Sequence, residues 1–305
     1  MASRSHTEGR VAKPYATHGF LAALAAAFAV GAAAPAFAQP LPTQQRLCDP
    51  TFDDCRAVIL TYIQQETVGI DMGFWMMTDE RQSNAMIAAV SRGVPVRLIT
   101  DTTEYRNPDR LWDAYNVDKM YHAGVQVRVD AHAGINHEKA VLLHGLGMAI
   151  LGSSNWTSPS SDSQREHNIF TTLPNIFSFL NWQFMRKWAD ATGAAETGPF
   201  VPLPPNAPVY NVPANDAVNV PTTGVGFVWY AGPWAHLYDI YIGTTPNPPL
   251  IAANQKLGPS QFWADYRVYM LPPLQPGTRD YWRIVSKTMA FVPAAGPVWT
   301  FQTRG

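Results

Sequence analysis

Between His137 and Asn155 stand an imidazole, an ammonium, a hydroxyl and a carboxamide whose spacing suits phosphoryl chemistry. His137-Glu138-Lys139 opens the stretch and the apolar run Ala140 to Leu143 follows. Gly145-Leu146-Gly147 interrupts it, and Met148 to Leu151 leads into Gly152-Ser153-Ser154-Asn155. Strand alternation puts His137 with Lys139 on one face, and Ser153 with Asn155 on one face. With residues 145–147 as a three-residue hairpin loop, His144 faces Met148, Lys139 pairs with Ser153, and His137 pairs with Asn155. All four polar groups then meet on one side, a nucleophile with donors for the oxygens of a phosphate ester.

The stretch resembles the signature of the phospholipase D superfamily, H-x-K-x4-D followed by G-S-x-N. His137, Lys139, Gly152, Ser153 and Asn155 match, and Glu166 stands where that family places a downstream acidic residue. Two departures are visible. His144 occupies the aspartate position, and the gap from there to Gly152 is one residue longer than usual.

The resemblance implies phosphodiester cleavage in two steps, with no cofactor and no metal. His137 attacks phosphorus to form a phosphohistidine, and a second histidine protonates the leaving alcohol and then activates water. Lys139 and Asn155 hold the non-bridging oxygens, Ser153 supports that cradle, and Glu166 orients an imidazole by accepting its ring N–H. The family usually carries its signature twice, whereas residues 192–305 hold no second H-x-K. Single-signature members pair two chains about a twofold axis, so the expected partner is a second copy, with the two His137 side chains facing each other. Internal candidates for the acid are His132, His144 and His167; by strand parity His144 points away from His137. The same histidines lack any spacing on one helix face that would hold zinc.

The elements that must position these groups alternate strand and helix. The pattern predicts a helix over 56–65, a strand from Val68 to Trp75, a helix from Asp79 to Arg92 and a strand from Val94 to Thr100. A helix from Leu111 to His122, a strand from Val125 to Val129 and the hairpin follow. Next come a polar loop or short helix from Ser158 to Gln164, a strand from His167 to Thr171 and an amphipathic helix from Ile176 to Trp188. Residues 56–192 therefore read as an α/β/α layered domain, the order of the phospholipase D-like catalytic module. Residues 193–208 are rich in proline and read as a stiff linker.

Residues 209–305 read as an all-β, immunoglobulin-like sandwich with short strands near Gly226, Leu237, Phe262, Tyr281 and Val298. Trp229, the run Tyr238 to Gly243, Leu274-Gln275-Pro276-Gly277-Thr278 and Tyr281-Trp282-Arg283-Ile284 resemble a fibronectin type III domain. Asp280 takes the usual corner tyrosine position there. Most of its aromatics (Trp229, Trp234, Tyr241, Trp263, Trp282) are expected in the core.

Residues 1–38 read as an export signal: Arg4, Arg10 and Lys13 precede the apolar run Phe20 to Ala33, and Ala36-Phe37-Ala38 resembles a cleavage site. An uncleaved anchor is the alternative. With the signal removed, no transmembrane segment is expected and the protein is secreted or periplasmic. In residues 39–55, Cys48 and Cys55 close one small loop in an oxidising compartment, or stay as two free thiols.

The formal net charge of −1 shows none of the basic surplus on which non-specific grip of nucleic acid depends. Three functions remain. The favoured one is an exported phosphodiesterase of phospholipase D type acting on a phospholipid or other phosphodiester, with Trp75, Met76, Met77 and Trp156 either rimming the site or buried as core. The others are a secreted endonuclease with nucleic acid as substrate, and a binding or adhesion module whose site was lost with the change to His144.

Overall fold

Aspartates start the helices that build the first domain. In the computed structural model, which describes residues 45–189, 196–258 and 266–305, Asp54 accepts the Ala57 N–H at 2.9 Å, Asp79 that of Arg81 at 3.0 Å and Asp101 that of Glu104 at 2.7 Å. They open α1 (Cys55–Gln65), α2 (Glu80–Ser91) and α3 (Thr102–Tyr105). The expected export signal, residues 1–38, lies outside the described residues.

The strands are β1 (Gln45–Cys48), β2 (Ile70–Phe74), β3 (Val96–Thr100), β4 (Gln126–Asp130), β5 (Lys139–Leu143), β6 (Met148–Gly152), β7 (Asn168–Thr171) and β8 (Thr197–Pro199). They form one sheet in the order β1-β7-β6-β5-β2-β3-β4-β8. β2 pairs parallel with β3, and β3 with β4, through right-sized helical crossovers: α2, then α4 (Leu111–His122). Alternation gives β2 two faces. Ile70, Met72 and Phe74 enter the large core beneath α1 and α2, where Ile63, Met86 and Leu98 also lie. Behind the sheet, α6 (Pro174–Trp188) packs Phe184 against Ile99, Leu142 and Ala149. Asp71, on that second face, sits in register with Arg97 and takes both its Nε and Nη2 at 2.6 Å.

Two strands escape the sequence pattern. β1 pairs antiparallel with β7, and the Cys48–Cys55 disulfide, with Cα atoms 5.8 Å apart, ties its end to the first residue of α1. β8 belongs to the proline-rich stretch expected as a stiff linker. It pairs with β4, Phe200 then packs against Tyr105 and Tyr121, and the Leu203 N–H binds the Tyr105 hydroxyl at 2.9 Å. Proline on an edge strand costs no ladder bond, which is why so proline-rich a segment can still join the sheet.

The hairpin register corrects the sequence reading. Leu143 pairs with Met148, Val141 with Ile150 and Ala140 with Leu151, so the loop has four residues, 144–147, and the expected pairs Lys139–Ser153 and His137–Asn155 do not form. The loop closes with the Gly147 N–H on the His144 carbonyl at 3.2 Å, and Gly147 takes φ of +56°. Glu66 explains the choice. Its carboxylate accepts the N–H groups of Gly145 and Leu146 at 2.9 and 3.2 Å, and also those of Thr67, Val68 and Gly69.

The second region, residues 209–305, is a separate, mostly β fold of two sheets. One runs β10 (Ala217–Val220), β17 (Trp299–Thr303), β15 (Arg279–Lys287), β12 (Leu237–Gly243) and β13 (Leu250–Lys256), with β16 (Pro293–Ala295) beside β15. The other runs β14 (Tyr266–Met270), β11 (Gly226–Tyr230) and β9 (Val209–Val212). Phe227 stacks on Trp282 at 4.2 Å between them, and Trp229 and Trp282 are fully buried, as the composition leads one to expect. Tyr241 instead lies under the Arg283 guanidinium, Trp234 packs on the first domain's core, and Trp263 falls outside the described residues. Asp280 is buried with Oδ2 unpartnered, while Tyr210 clasps the Ile284 N–H and carbonyl from across the sandwich.

The β region rests on α4. His122 stacks on Phe291 at 4.3 Å, Tyr115 meets the edge of His236 at 5.3 Å, and Glu80 binds both Lys119 and Lys256. Burial holds His236 neutral, down at about 3, and drives Asp118 up to about 7 despite the Tyr105 hydroxyl 2.7 Å from its Oδ1. Asp118 therefore keeps its proton in the folded chain from pH 4 to 7, where the unfolded chain has lost it, so stability falls across that window. Asp118→Asn should be more stable than wild type by roughly 2–4 kcal/mol at pH 8, with the gap closing below pH 4, as read by urea unfolding at each pH.

Candidate functional site

Main-chain bonds bracket His137. On one side, Asn136 is held by the Asp101 carboxylate, which accepts its N–H at 2.8 Å, and by the Ile99 carbonyl, which takes its side-chain amide at 3.1 Å. On the other, the Trp75 N–H reaches the Glu138 carbonyl at 3.0 Å. Ile99 lies in β3, Asp101 follows it and Trp75 follows β2, so two neighbouring inner strands fix the backbone of the histidine. Its imidazole stays exposed, with the Trp75 ring centroid 4.7 Å away.

Lys139 begins β5 opposite Phe74 and is only 8 % exposed. Its Nζ donates to the His137 carbonyl at 2.9 Å and lies 5.2 Å from the Trp75 ring. Burial lowers its pKa, and the charge of Glu166 acts in the opposite direction. Arg110 comes within 5.3 Å of the same ring and pairs at 2.8 Å with Glu104, whose pKa is raised by burial. Trp75 thus sits among His137 and two cations, a role that nothing in its sequence position distinguishes from that of Trp156. Trp156 is core: it packs on Phe74 at 4.4 Å beside buried Met77.

The second half of the signature leaves the strand at Gly152. A Cβ there would lie 2.1 Å from the His167 carbonyl oxygen and 2.6 Å from Asn168 Oδ1, so only glycine lets β6 approach β7 at this point. Ser153 then turns to Glu166, donating its hydroxyl at 2.5 Å, and accepts the His167 N–H at 3.1 Å. Glu166 also accepts from Ser160 at 3.1 Å, so in a single chain its partners are hydroxyls instead of the expected imidazole. Asn155 follows beside the Met76–Met77 segment, where the Trp156 N–H binds the Met76 carbonyl at 3.1 Å, and its Oδ1 is buried without a hydrogen-bond partner.

Of the other histidines, two are paired with carboxylates elsewhere, whereas His132 lines a hollow that His137 also lines. His144 Nε2 meets Asp71 at 2.7 Å at the far end of the hairpin, on the α6 side. His167 is paired with Asp49 at 3.6 Å and His132 is exposed. Among the described residues no group of three or more His, Cys, Asp or Glu is arranged to hold a metal ion. Asp101, Asn136, Trp75 and Gly73 had no motif to mark them. Gly73 leaves room for Glu138: a Cβ would fall 2.2 Å from its Oε2, while its Oε1 pairs with Lys187.

Residues 59–188 match the protein family described as "Cardiolipin synthase, PLD-like domain". A mitochondrial cardiolipin hydrolase of Chlamydomonas reinhardtii is 26 % identical over 129 residues, 42 % of this chain and 55 % of the relative. The chain thus spans about half the length of that relative. One from Xenopus tropicalis is 26 % identical over 150 residues, 49 % of this chain and 69 % of its own. Among solved structures, the phospholipase D family member Nuc from Salmonella typhimurium aligns with a TM-score of 0.44 at 17 % identity, covering 51 % of this chain and 97 % of Nuc. NucT from Helicobacter pylori aligns at 0.43 and 15 %, covering 52 % and 99 %.

Lys139 is a buried cation with one carbonyl partner, so it costs stability in order to be available. Lys139→Met should leave the unfolding free energy unchanged or raise it by about 1 kcal/mol, while weakening the binding of a phosphate ester about 10²–10³-fold, read by calorimetry. Gly152→Ala should cost about 1–3 kcal/mol through overpacking against β7, read by thermal unfolding.

Proposed function

We propose that this chain, whose residues 59–188 match a PLD-like domain, is an exported phosphodiesterase of phospholipase D type that works without metal and through a phosphohistidine. The observation that carries the reading is the exposed His137 imidazole, backbone-anchored on both sides, with Lys139 buried directly beside it. An amine kept dry and given no carboxylate of its own is poised for an anion that arrives from outside.

His137 attacks phosphorus, a P–N bond forms, and the P–O bond to the leaving alcohol breaks as that oxygen takes a proton. The proton comes from His137 of a second copy: His144 and His167 are paired with Asp71 and Asp49, and exposed His132, which shares a hollow with His137, is the internal alternative. That imidazole then removes a proton from water, the hydroxide attacks the phosphohistidine, and the phosphomonoester leaves as His137 is restored. Lys139 and the Asn155 amide hold the non-bridging oxygens throughout. Ser153 fixes the turn that presents Asn155, and Glu166 is placed to reach an imidazole once two copies meet.

A phospholipid is the favoured substrate. The relatives at 26 % identity are named cardiolipin hydrolases, and Phe179 and Trp182 stand exposed on α6, as suits work at a lipid surface. No helix among the described residues is long and apolar enough to cross a membrane. The β region is proposed to be fibronectin type III-like.

With a ³²P-labelled phospholipid and EDTA present, acid-labile label should be trapped on His137 and vanish in His137→Ala. Cleavage of plasmid DNA but not phospholipid would favour the nuclease. No difference between wild type and His137→Ala on any diester would leave a binding module.

A further inference from the structure

Two hollows meet at His137, and their walls are opposite in chemistry. One, of about 300 Å³, lies between β5, β6 and α6; Ala140, Leu142, Leu151, Leu180 and Phe184 line it, with His137, Gly152 and Lys139 at the catalytic end. The other, of about 420 Å³, is lined by Asp130, His132, Arg186, Lys187 and Glu196. His137, Glu138 and Lys187 belong to both, so the Glu138–Lys187 ion pair is common to the two walls.

The first hollow is mostly hydrocarbon along β5, β6 and α6, with Asp71, Glu138, Gln183 and Lys187 also in its lining. Leu151 and Leu180 are partly buried side chains packed against the small core beneath α6, and both line this half-open hollow. Its size is that of a small ligand pocket, roughly 300 Å³ or more. Most of the polar groups in its lining are already engaged: Asp71 binds Arg97 and His144, Glu138 pairs with Lys187, and the Gln183 side-chain carbonyl accepts from Arg186. A sugar or a base placed there would find its hydroxyls and ring nitrogens facing leucine and phenylalanine without partners. A hydrocarbon chain would lose nothing.

A phosphodiester bound at His137 sends two arms away from phosphorus. We infer that the cavity between α6 and the β5–β6 hairpin receives the hydrocarbon arm of the substrate, while its polar arm lies in the charged hollow on the other side of Glu138 and Lys187. The substrate is then an amphiphile bearing an acyl or alkyl chain. This rests on the phosphodiesterase reading and narrows it.

The test is a chain-length series on the full chain. n-Alkyl phosphates from ethyl to octyl, each below its micelle concentration, are titrated calorimetrically into wild type, Leu180→Trp and Leu151→Asn. In parallel, wild type and His137→Ala are assayed on bis(p-nitrophenyl) phosphate, and the melting temperature of each variant is recorded. Wild-type affinity should rise about threefold per added methylene until the cavity is full. Leu180→Trp, which fills the space, and Leu151→Asn, which makes its wall polar, should flatten that rise while ethyl phosphate binds as before. Affinity independent of chain length in wild type overturns the inference, even if the small diester is cleaved. So does tighter binding of a dinucleotide than of octyl phosphate. A chain-length rise without His137-dependent cleavage of the small diester would leave the cavity standing and remove the phosphodiesterase reading instead.

Discussion

The hydrogen bond from the Trp75 N–H to the Glu138 carbonyl joins the end of β2 to the residue after His137, and the arrangement of the site follows from it. That bond requires the two backbones to lie close, and Gly73 makes this possible by leaving space for the Glu138 side chain. The same approach brings the Trp75 indole against the imidazole and under Lys139. With Asp101 holding Asn136 from the end of β3, the backbone of His137 is fixed by two neighbouring inner strands of the sheet. A group on rigid elements needs little reorganisation when substrate arrives, which is where much of the advantage of an electrostatic site originates.

His144 stands where the resembled signature has aspartate, and acids from elsewhere in the chain anchor the hairpin loop. Glu66, from the end of α1, supplies a carboxylate to the hairpin loop and is held ionised by the backbone N–H groups it accepts, against the opposing effect of burial. Asp71 on β2 takes the ring of His144 and the guanidinium of Arg97 together. The loop is therefore anchored by two acids that come from other strands and helices, and the far end of the hairpin keeps its shape without the family residue. These contacts lie at the opposite end of β5 from His137, so the substitution does not reach the cluster itself.

Buried charge is spent unevenly in this protein. Asp113 accepts the Met77 N–H at 2.6 Å with its other oxygen unpartnered, and burial drives its pKa well above the usual carboxylate range. Asp118 and His236 are likewise buried where α4 meets the β region. Burial favours the neutral form of each; Asp113 and Asp118 accept hydrogen bonds, from the Met77 N–H and the Tyr105 hydroxyl, whereas neither ring nitrogen of His236 has a partner. Lys139 differs because its burial leaves a donor directed at an open face, with Glu166 near enough to favour its charge.

Much of the first domain could be read from residue order alone, because local rules act within a few positions. The apolar period of α4 placed it at Leu111–His122, and alternation along Ile70, Met72 and Phe74 marked the buried face of β2. The identities of His137, Lys139, Gly152, Ser153, Asn155 and Glu166 were equally plain. Their three-dimensional arrangement was not. The hairpin register turns on Glu66, which is remote in sequence, and a one-residue change in loop length moves every cross-strand pair. Trp75 and Trp156 look alike in sequence, yet packing sends one to the imidazole and the other to the core. β8 and the covering of the sheet edge by β1 depend on partners tens of residues away. Chemistry was determined by residue type and short spacing; the choice of neighbours was decided by tertiary structure, since contacts between distant segments form only when the whole core closes.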